Sequence, residues 1–307
     1  MRVIITGGSG LLGRELTASL TKDGHEVVVL SRDPARVASL PAGARAEGWD
    51  GRTAKGWAGL ADGAGAIVNL AGESIAGRPG IDRWTPARKQ LILNSRTDAG
   101  QAVVEAVRAA KKKPGVVIQS SAVGYYGPCG DEEVNEDHPA GKDFLSQVCV
   151  AWEASTNELE ALGVRRAIIR TGLPLSKQGG ALAPLLLIFN LFAGGPLGNG
   201  KQWWPWLHMT DQINAIRFLI DNPTASGAFN LSSPQPLTNA EFSRVLGKVM
   251  GRPSFMPAPA FALRLAMGEM ADALLLSGQR QIPRRLLDLG FQFKFPEAEA
   301  ALRDTLR

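Results

Sequence analysis

Gly7, Gly10 and Gly13 recur at three-residue intervals in MRVIITGGSGLLG. They follow the β-branched run Arg2–Thr6 and precede an apolar-periodic stretch of Leu11, Leu12, Leu16 and Leu20. Glycines there allow a tight turn and close backbone approach, while the unpaired N–H groups of a helix start attract negative charge. That chemistry suits a pyrophosphate. The strand–turn–helix setting points to a dinucleotide rather than a plain connection. Ser9, Leu11 and Leu12 belong to the same cradle. A second set, Ser120-Ser121-Ala122-Val123-Gly124-Tyr125-Tyr126-Gly127, follows the apolar run GVVIQ and gathers two hydroxyls with both tyrosines of the chain. Hydroxyls and phenols can transfer protons, so Ser121, Tyr125 and Tyr126 are the candidate catalytic groups.

These residues need elements to position them. Short apolar runs at Arg2–Thr6, His25–Leu30, Ala66–Leu70, Gly115–Gln119 and Arg165–Arg170 read as strands, with another ending near Trp49–Asp50. Helical patterns separate them, the longer ones at about Pro86–Ala110 and Phe144–Leu162. This alternation predicts an α/β fold, a doubly wound parallel sheet of Rossmann type. Ligands of such sheets bind beyond the carboxyl ends of the strands. That makes Ser31, Arg32, Asp50, Leu70, Ala71, Gly72, Glu73 and Ser120 candidate cofactor contacts. After the second strand an acidic residue holds a ribose 2′-hydroxyl, whereas an arginine accommodates a 2′-phosphate. Ser31-Arg32 thus favours NADP(H) over NAD(H), a solvated Arg32 being the plainer alternative. Asp33, ahead of Pro34, reads as a helix cap. A polar, glycine-rich segment spans Ser74 to Ile81. Beyond it, Arg83, Trp84, Arg88, Lys89, Asn94 and Arg96 lie on one stretch, and the pattern does not choose which face the crevice.

After Gly172 the character changes. Residues 179–206 mix glycine and proline with aromatics, and Trp203, Trp204 and Trp206 suit a packed hinge or a pocket wall equally. A helix Thr210–Asp221 and a strand Ala228–Leu231 return to the sheet. Helices with proline-rich loops follow, then a short aromatic strand Phe291–Phe295 and a final helix. The expected division is a dinucleotide-binding domain, 1–172 with 207–233. A smaller, mainly helical lid of 173–206 and 234–307 completes it. Arg170 ends a strand at the crevice, where it would clamp an acidic substrate or form a structural pair. Trp204 and His208 are further candidate substrate contacts, and His208 also reads as a satisfied structural histidine at the junction.

A hydrophobic content of 45% over 307 residues supports a full core. Cys129 and Cys149 make no metal spacing and no disulfide framework, which fits a reducing cytoplasm. The chain enters its first strand without a leader pattern. The longest apolar run, 181–197, is interrupted by Pro184, Asn190 and two glycines, too short to insert in a membrane. A net charge of +5 would suit nucleic acid, yet the dense basic run, Lys111–Lys113, sits at a helix end where cations offset the dipole. A small molecule is therefore the expected partner, with no nucleic acid and no bound metal.

TGGSGLLG at 6–13, NLAG at 69–72, SSAVGYYG at 120–127 and HMTD at 208–211 resemble the extended short-chain dehydrogenase/reductase superfamily, in its epimerase/dehydratase branch. CVAWEA at 149–154, QWWPWLHMTD and the C-terminal stretch from MPAPAFALRLAMGEM to GFQF are similar to a subgroup sometimes labelled a cell-division inhibitor. The resemblance implies a serine or threonine on the loop after the fifth strand, and a tyrosine and a lysine four residues apart on the next helix. Matching the motifs puts Ala122, Leu145 and Cys149 at those three positions, with Glu153 in register. The usual proton relay is missing. In the wider superfamily Tyr126 matches a loop tyrosine without the proton-transfer role, so it reads as structural or substrate-contacting before catalytic. Cys149 reads as packing. The expectation is an NADP(H)-dependent oxidoreductase of atypical mechanism. An NADP(H)-sensing regulatory protein with a protein partner is the alternative, and a nucleotide-sugar epimerase stands third.

Overall fold

A computed structural model of the chain describes residues 1–37, 40–77 and 82–307. The end of the glycine-rich segment, 78–81, lies outside the described residues. Five strands, β1 (Arg2–Thr6), β2 (Glu26–Ser31), β3 (Ala44–Gly48), β4 (Ala66–Asn69) and β5 (Val116–Ala122), join Arg165–Thr171 and Gly227–Leu231 in one sheet. Its order is 227–231, 165–171, β5, β4, β1, β2, β3, and every pairing is parallel. This is the doubly wound Rossmann arrangement. The strand order reverses where β1 lies between β2 and β4, which opens a crevice at their carboxyl ends.

Parallel strands bury both faces, and the sequence supplies apolar residues to each. Val3 and Ile5 face one core with Leu16, Leu20 and Ile216. Ile4 faces the other, with Trp57, Val103 and Val107. Helix α1 (Leu11–Lys22) covers the first face and α2 (Pro86–Ala109) the second. Thr85 opens α2 by accepting the Arg88 N–H, and Pro86 takes the first-turn position that needs no donor. A third core, with Leu182, Phe189, Trp204, Trp206, Phe242 and Leu302, is drawn entirely from residues 173–306.

Two expected elements differ. The helix from Phe144 ends at Ala154 (α3), and a separate turn of helix spans Glu158–Ala161. Arg166 donates to the Glu153 carbonyl at 2.8 Å, and Thr156 Oγ1 donates to it at 3.2 Å, so that carbonyl is withdrawn from a continuing helix. Residues 291–295 form no strand. The Asp211 carboxylate accepts the N–H groups of Lys294 and Phe295 at 2.7 and 2.9 Å, doing for that backbone what a neighbouring strand would do. Among the described residues no helix is long and apolar enough to cross a membrane.

Candidate functional site

The glycine loop is built as its spacing requires. Gly7 has φ +66°, and a Cβ on it would meet the Leu70 carbonyl carbon at 2.9 Å. A Cβ on Gly13 would stand 2.4 Å from Gly8 Cα. Gly10 caps α1 without a side chain, and the first helical bond runs from the Arg14 N–H to Gly10 O at 3.0 Å. The N–H groups of Leu11, Leu12 and Gly13 precede that bond and have no intrahelical acceptor. A buried polar ladder levels the floor beside this loop. Thr6 Oγ1 donates to Asn69 Oδ1 at 2.6 Å, and Asn69 Nδ2 to Gln119 Oε1 at 2.9 Å.

A cleft of about 800 Å³ opens over the loop. Gly7, Ser9, Gly10, Ser31, Arg32, Asp50, Leu70, Ala71, Gly72 and Glu73 all line it, as a dinucleotide cleft requires. Arg32 is exposed and packs along Gly51. Asp50 Oδ1 accepts the N–H groups of Arg52 and Thr53, and its Oδ2 the Thr53 hydroxyl, which hold the carboxyl below its ordinary value. Glu73 pairs with Arg88 at 3.2 Å. The sequence reading missed Arg52, Leu91, Ser95 and Asp98, which also line the cleft, and left Asn94 unassigned. Leu91, Asn94, Ser95 and Asp98 stand at i, i+3, i+4 and i+7 on α2, so a helical stripe was the available signal. Of the other residues left open on that stretch, Arg83 donates to Leu265 O, Lys89 pairs with Glu269, and Trp84 donates to Ile75 O.

A smaller cavity of about 200 Å³ lies against the same helix. Ala122, Leu145 and Cys149, the three residues at the superfamily's relay positions, line it together. Cys149 Sγ sits 3.8 Å from Ala122 O. Burial pushes its thiol up to about 12, with Glu153 adding to the rise, so it stays protonated. Trp203 and Trp204 form part of the wall, Trp204 backed by Phe242 at 5.1 Å. Arg96 also lines this cavity. It interrupts the buried stripe of Ile92, Ala99 and Val103, and a charge in such a stripe is a signal readable from sequence.

The candidate catalytic hydroxyls lie elsewhere. Ser121 is buried and donates to Glu153 Oε1 at 2.6 Å. Tyr126 is buried, donates to Asn230 Oδ1 at 2.6 Å, and is pushed up to about 12 by burial. Tyr125 lies under the Arg170 guanidinium, 3.4 Å from the ring centroid. None of the three, nor Ser120, is among the residues lining either space. Arg170 binds Glu153 through Nε and Nη2 at 2.9 and 3.0 Å, while Nη1 donates to Tyr126 Oη and Glu136 O, both at 3.1 Å. Four of its five N–H donors are thereby used, so the geometry is that of a structural pair rather than a substrate clamp. His208 is also structural in its contacts. Its Nδ1 accepts the Thr210 N–H at 3.1 Å, capping the helix Met209–Asp221, and its ring stacks on Phe295 at 4.0 Å. Burial holds it below its ordinary value.

Parallel order, glycine loop and cleft define a Rossmann-type dinucleotide-binding protein. Residues 3–232 match the NAD dependent epimerase/dehydratase family, and the chain belongs to that family. Residues 258–305 match a domain of unknown function, DUF1731. The chain is 38% identical to the chloroplastic epimerase family protein SDR39U1 homolog of Arabidopsis thaliana, over 99% of this chain and 86% of that one. It is 36% identical to epimerase family protein YfhF of Bacillus subtilis, over 98% and 97%. Human epimerase family protein SDR39U1, solved with NADPH, superposes with a TM-score of 0.89 at 35% identity, over 99% of each chain. None of these three names speaks of cell division.

Proposed function

We propose that the chain is an NADP(H)-binding oxidoreductase acting on a small substrate without a Ser-Tyr-Lys set. The observation that carries this reading is the cavity of about 200 Å³ walled by Ala122, Leu145 and Cys149 beside the dinucleotide cleft. It is smaller than the usual pocket for a drug-sized ligand, roughly 300–1,000 Å³, which speaks for a small molecule. In this reading Ser9 and the N–H groups of Leu11, Leu12 and Gly13 hold the pyrophosphate. Arg32 and Arg52 face a 2′-phosphate, Asp50 meets the adenine edge, and Leu70–Glu73 run beneath the ribose. The NADPH in the human relative supports the choice of cofactor. When bound, the nicotinamide supplies or accepts a hydride. The chain's own walls exclude water and fix orientation. Residues 173–206 and 234–307 act as the lid, a division supported by their separate core. The two unpaired thiols fit a reducing compartment such as the cytoplasm.

The second reading, an NADP(H) sensor that changes a partner's affinity, draws on the same wall. Its three relay positions offer nothing that releases a proton near neutral pH. Nucleotide-sugar epimerisation ranks below both, since it needs that relay and more room.

Calorimetric titration with NADPH, NADP⁺, NADH and NAD⁺, followed by a screen of carbonyl and activated-alkene substrates, separates these readings. Phosphate-selective binding with turnover supports the oxidoreductase. The same binding with no turnover moves the weight to the sensor, and no binding refutes both. Arg32→Glu is expected to weaken NADPH far more than NADH; equal losses would remove the 2′-phosphate assignment.

A further inference from the structure

Arg96 is only 6% exposed, yet it has almost nothing to bind. Of its five N–H donors, one Nη1–H reaches a protein acceptor, Ile92 O at 2.9 Å. Its Nε is buried with no partner. No carboxylate stands within ion-pair distance of it among the described residues, and the carboxylate of Glu73 is engaged by Arg88. The Trp152 ring, 4.8 Å from Cζ, offers a cation–π contact. That ring carries a second unpartnered donor, a buried Nε1 on a residue also 6% exposed. A buried guanidinium without an anion is costly, and burial pulls it down to about 10, which still leaves it charged at neutral pH.

Both residues line the small cavity. The rest of its wall is largely hydrocarbon, including Ile75, Val123, Leu145, Val148, Leu173 and Leu274. Arg96 also touches the cofactor side, since a Cβ on Gly72 would stand 3.0 Å from its Cζ. A charged fork therefore meets an apolar chamber where that chamber adjoins the dinucleotide cleft. We infer that the outer guanidinium nitrogens of Arg96 anchor the carboxylate of a small apolar carboxylic acid in this cavity. The inference rests on the oxidoreductase reading for its place beside the nicotinamide and adds to it the class of substrate. A planar guanidinium suits a carboxylate through paired hydrogen bonds, and the apolar wall suits the hydrocarbon remainder.

The test titrates phenylacetate, 3-methylbutanoate and cinnamate into the full-length protein by ligand-observed NMR, each beside its neutral amide. At least one acid is expected to bind more tightly than its amide by about tenfold or more, with Arg96→Gln removing that preference. Leu173→Trp keeps the guanidinium and fills the cavity, so it should abolish binding of the same acid even if Arg96→Gln folds poorly. Acids and amides binding alike, no acid binding below about 10 mM, or an acid affinity untouched by both substitutions would each overturn the inference. NADPH affinity of Arg96→Gln is read in parallel. Loss there with acid binding unchanged assigns Arg96 to the cofactor and overturns it too. The titration needs no cofactor, so a failure of NADPH to bind would remove the oxidoreductase reading while leaving this result to stand or fall separately.

Discussion

Arg170 offers a sharp test because the structure gives it a definite cost. Its side chain is 6% exposed and that of its partner Glu153 is 11% exposed, so the pair is largely out of water. Arg170→Met keeps most of the hydrocarbon volume and removes the charge. Glu153 is then left with the Ser121 hydroxyl, and Tyr126 loses one of its two hydrogen bonds. Breaking a buried pair from one side costs about 3–5 kcal/mol, because the remaining carboxylate is stranded. For a chain of this length that is a fall of about 5–8 °C in Tm. Replacing both partners, Arg170→Met with Glu153→Leu, should recover part of the loss, since no orphaned charge remains. The assay is thermal unfolding by calorimetry, with the carboxylate titration run on each folded variant. If Arg170→Met leaves Tm unchanged but abolishes carboxylate binding, the structural assignment is refuted and Arg170 is a ligand residue after all.

Two further outcomes follow from the geometry. Gly13→Ala would place a Cβ 2.4 Å from Gly8 Cα, so the phosphate loop must move; we expect about 1–3 kcal/mol of lost stability and at least tenfold weaker NADPH binding by calorimetry. Wild-type dinucleotide affinity in that variant would mean the loop is not the pyrophosphate site. His208 is held below its ordinary value of 6.5 chiefly by burial, against the pull of Asp304 and Asp211. The unfolded chain therefore takes up the proton first, and the stability present above about pH 6.5 is lost as pH falls through that value toward the folded one. His208→Asn retains a capping side chain, and its Tm should decline less than wild type between about pH 7 and 5; parallel declines would show that His208 does not set this slope.

The sheet was legible because its strands alternate with helices, and the glycine loop because its spacing has a backbone consequence. Boundaries moved where tertiary partners competed with local preference. Asp211, more than eighty residues away, satisfies the backbone at Lys294 and Phe295, and nothing local to FQFKF announces it. The same distance effect hid the fate of the hydroxyls. Ser121 and Tyr126 have the right chemistry and stand on the right strand end, yet Glu153, Arg170 and Asn230 converge on them from three other segments. A motif shows which groups are near a crevice and not which way they turn. Arg96 was legible only in part, since it stands in the apolar stripe of Ile92, Ala99 and Val103 but packing alone shows that it lacks an anion.

The polar network and the apolar chamber are two sides of one strand end. Ser121 turns toward Glu153, while its neighbour Ala122 lines the cavity with Leu145 and Cys149. The motif resemblance implies a hydroxyl, a tyrosine and a lysine at these three cavity positions. Here they hold a methyl group, an isobutyl group and a thiol pushed up to about 12. Filling those positions with apolar groups lowers the local dielectric, which strengthens the field of the one cation that remains on the wall. On the reading proposed above, the chamber has exchanged proton transfer for fixed positive charge. Such a site suits a reaction on a substrate whose carboxylate the guanidinium holds in place. It suits poorly one that must pass a proton through the protein, as epimerisation at a sugar carbon does.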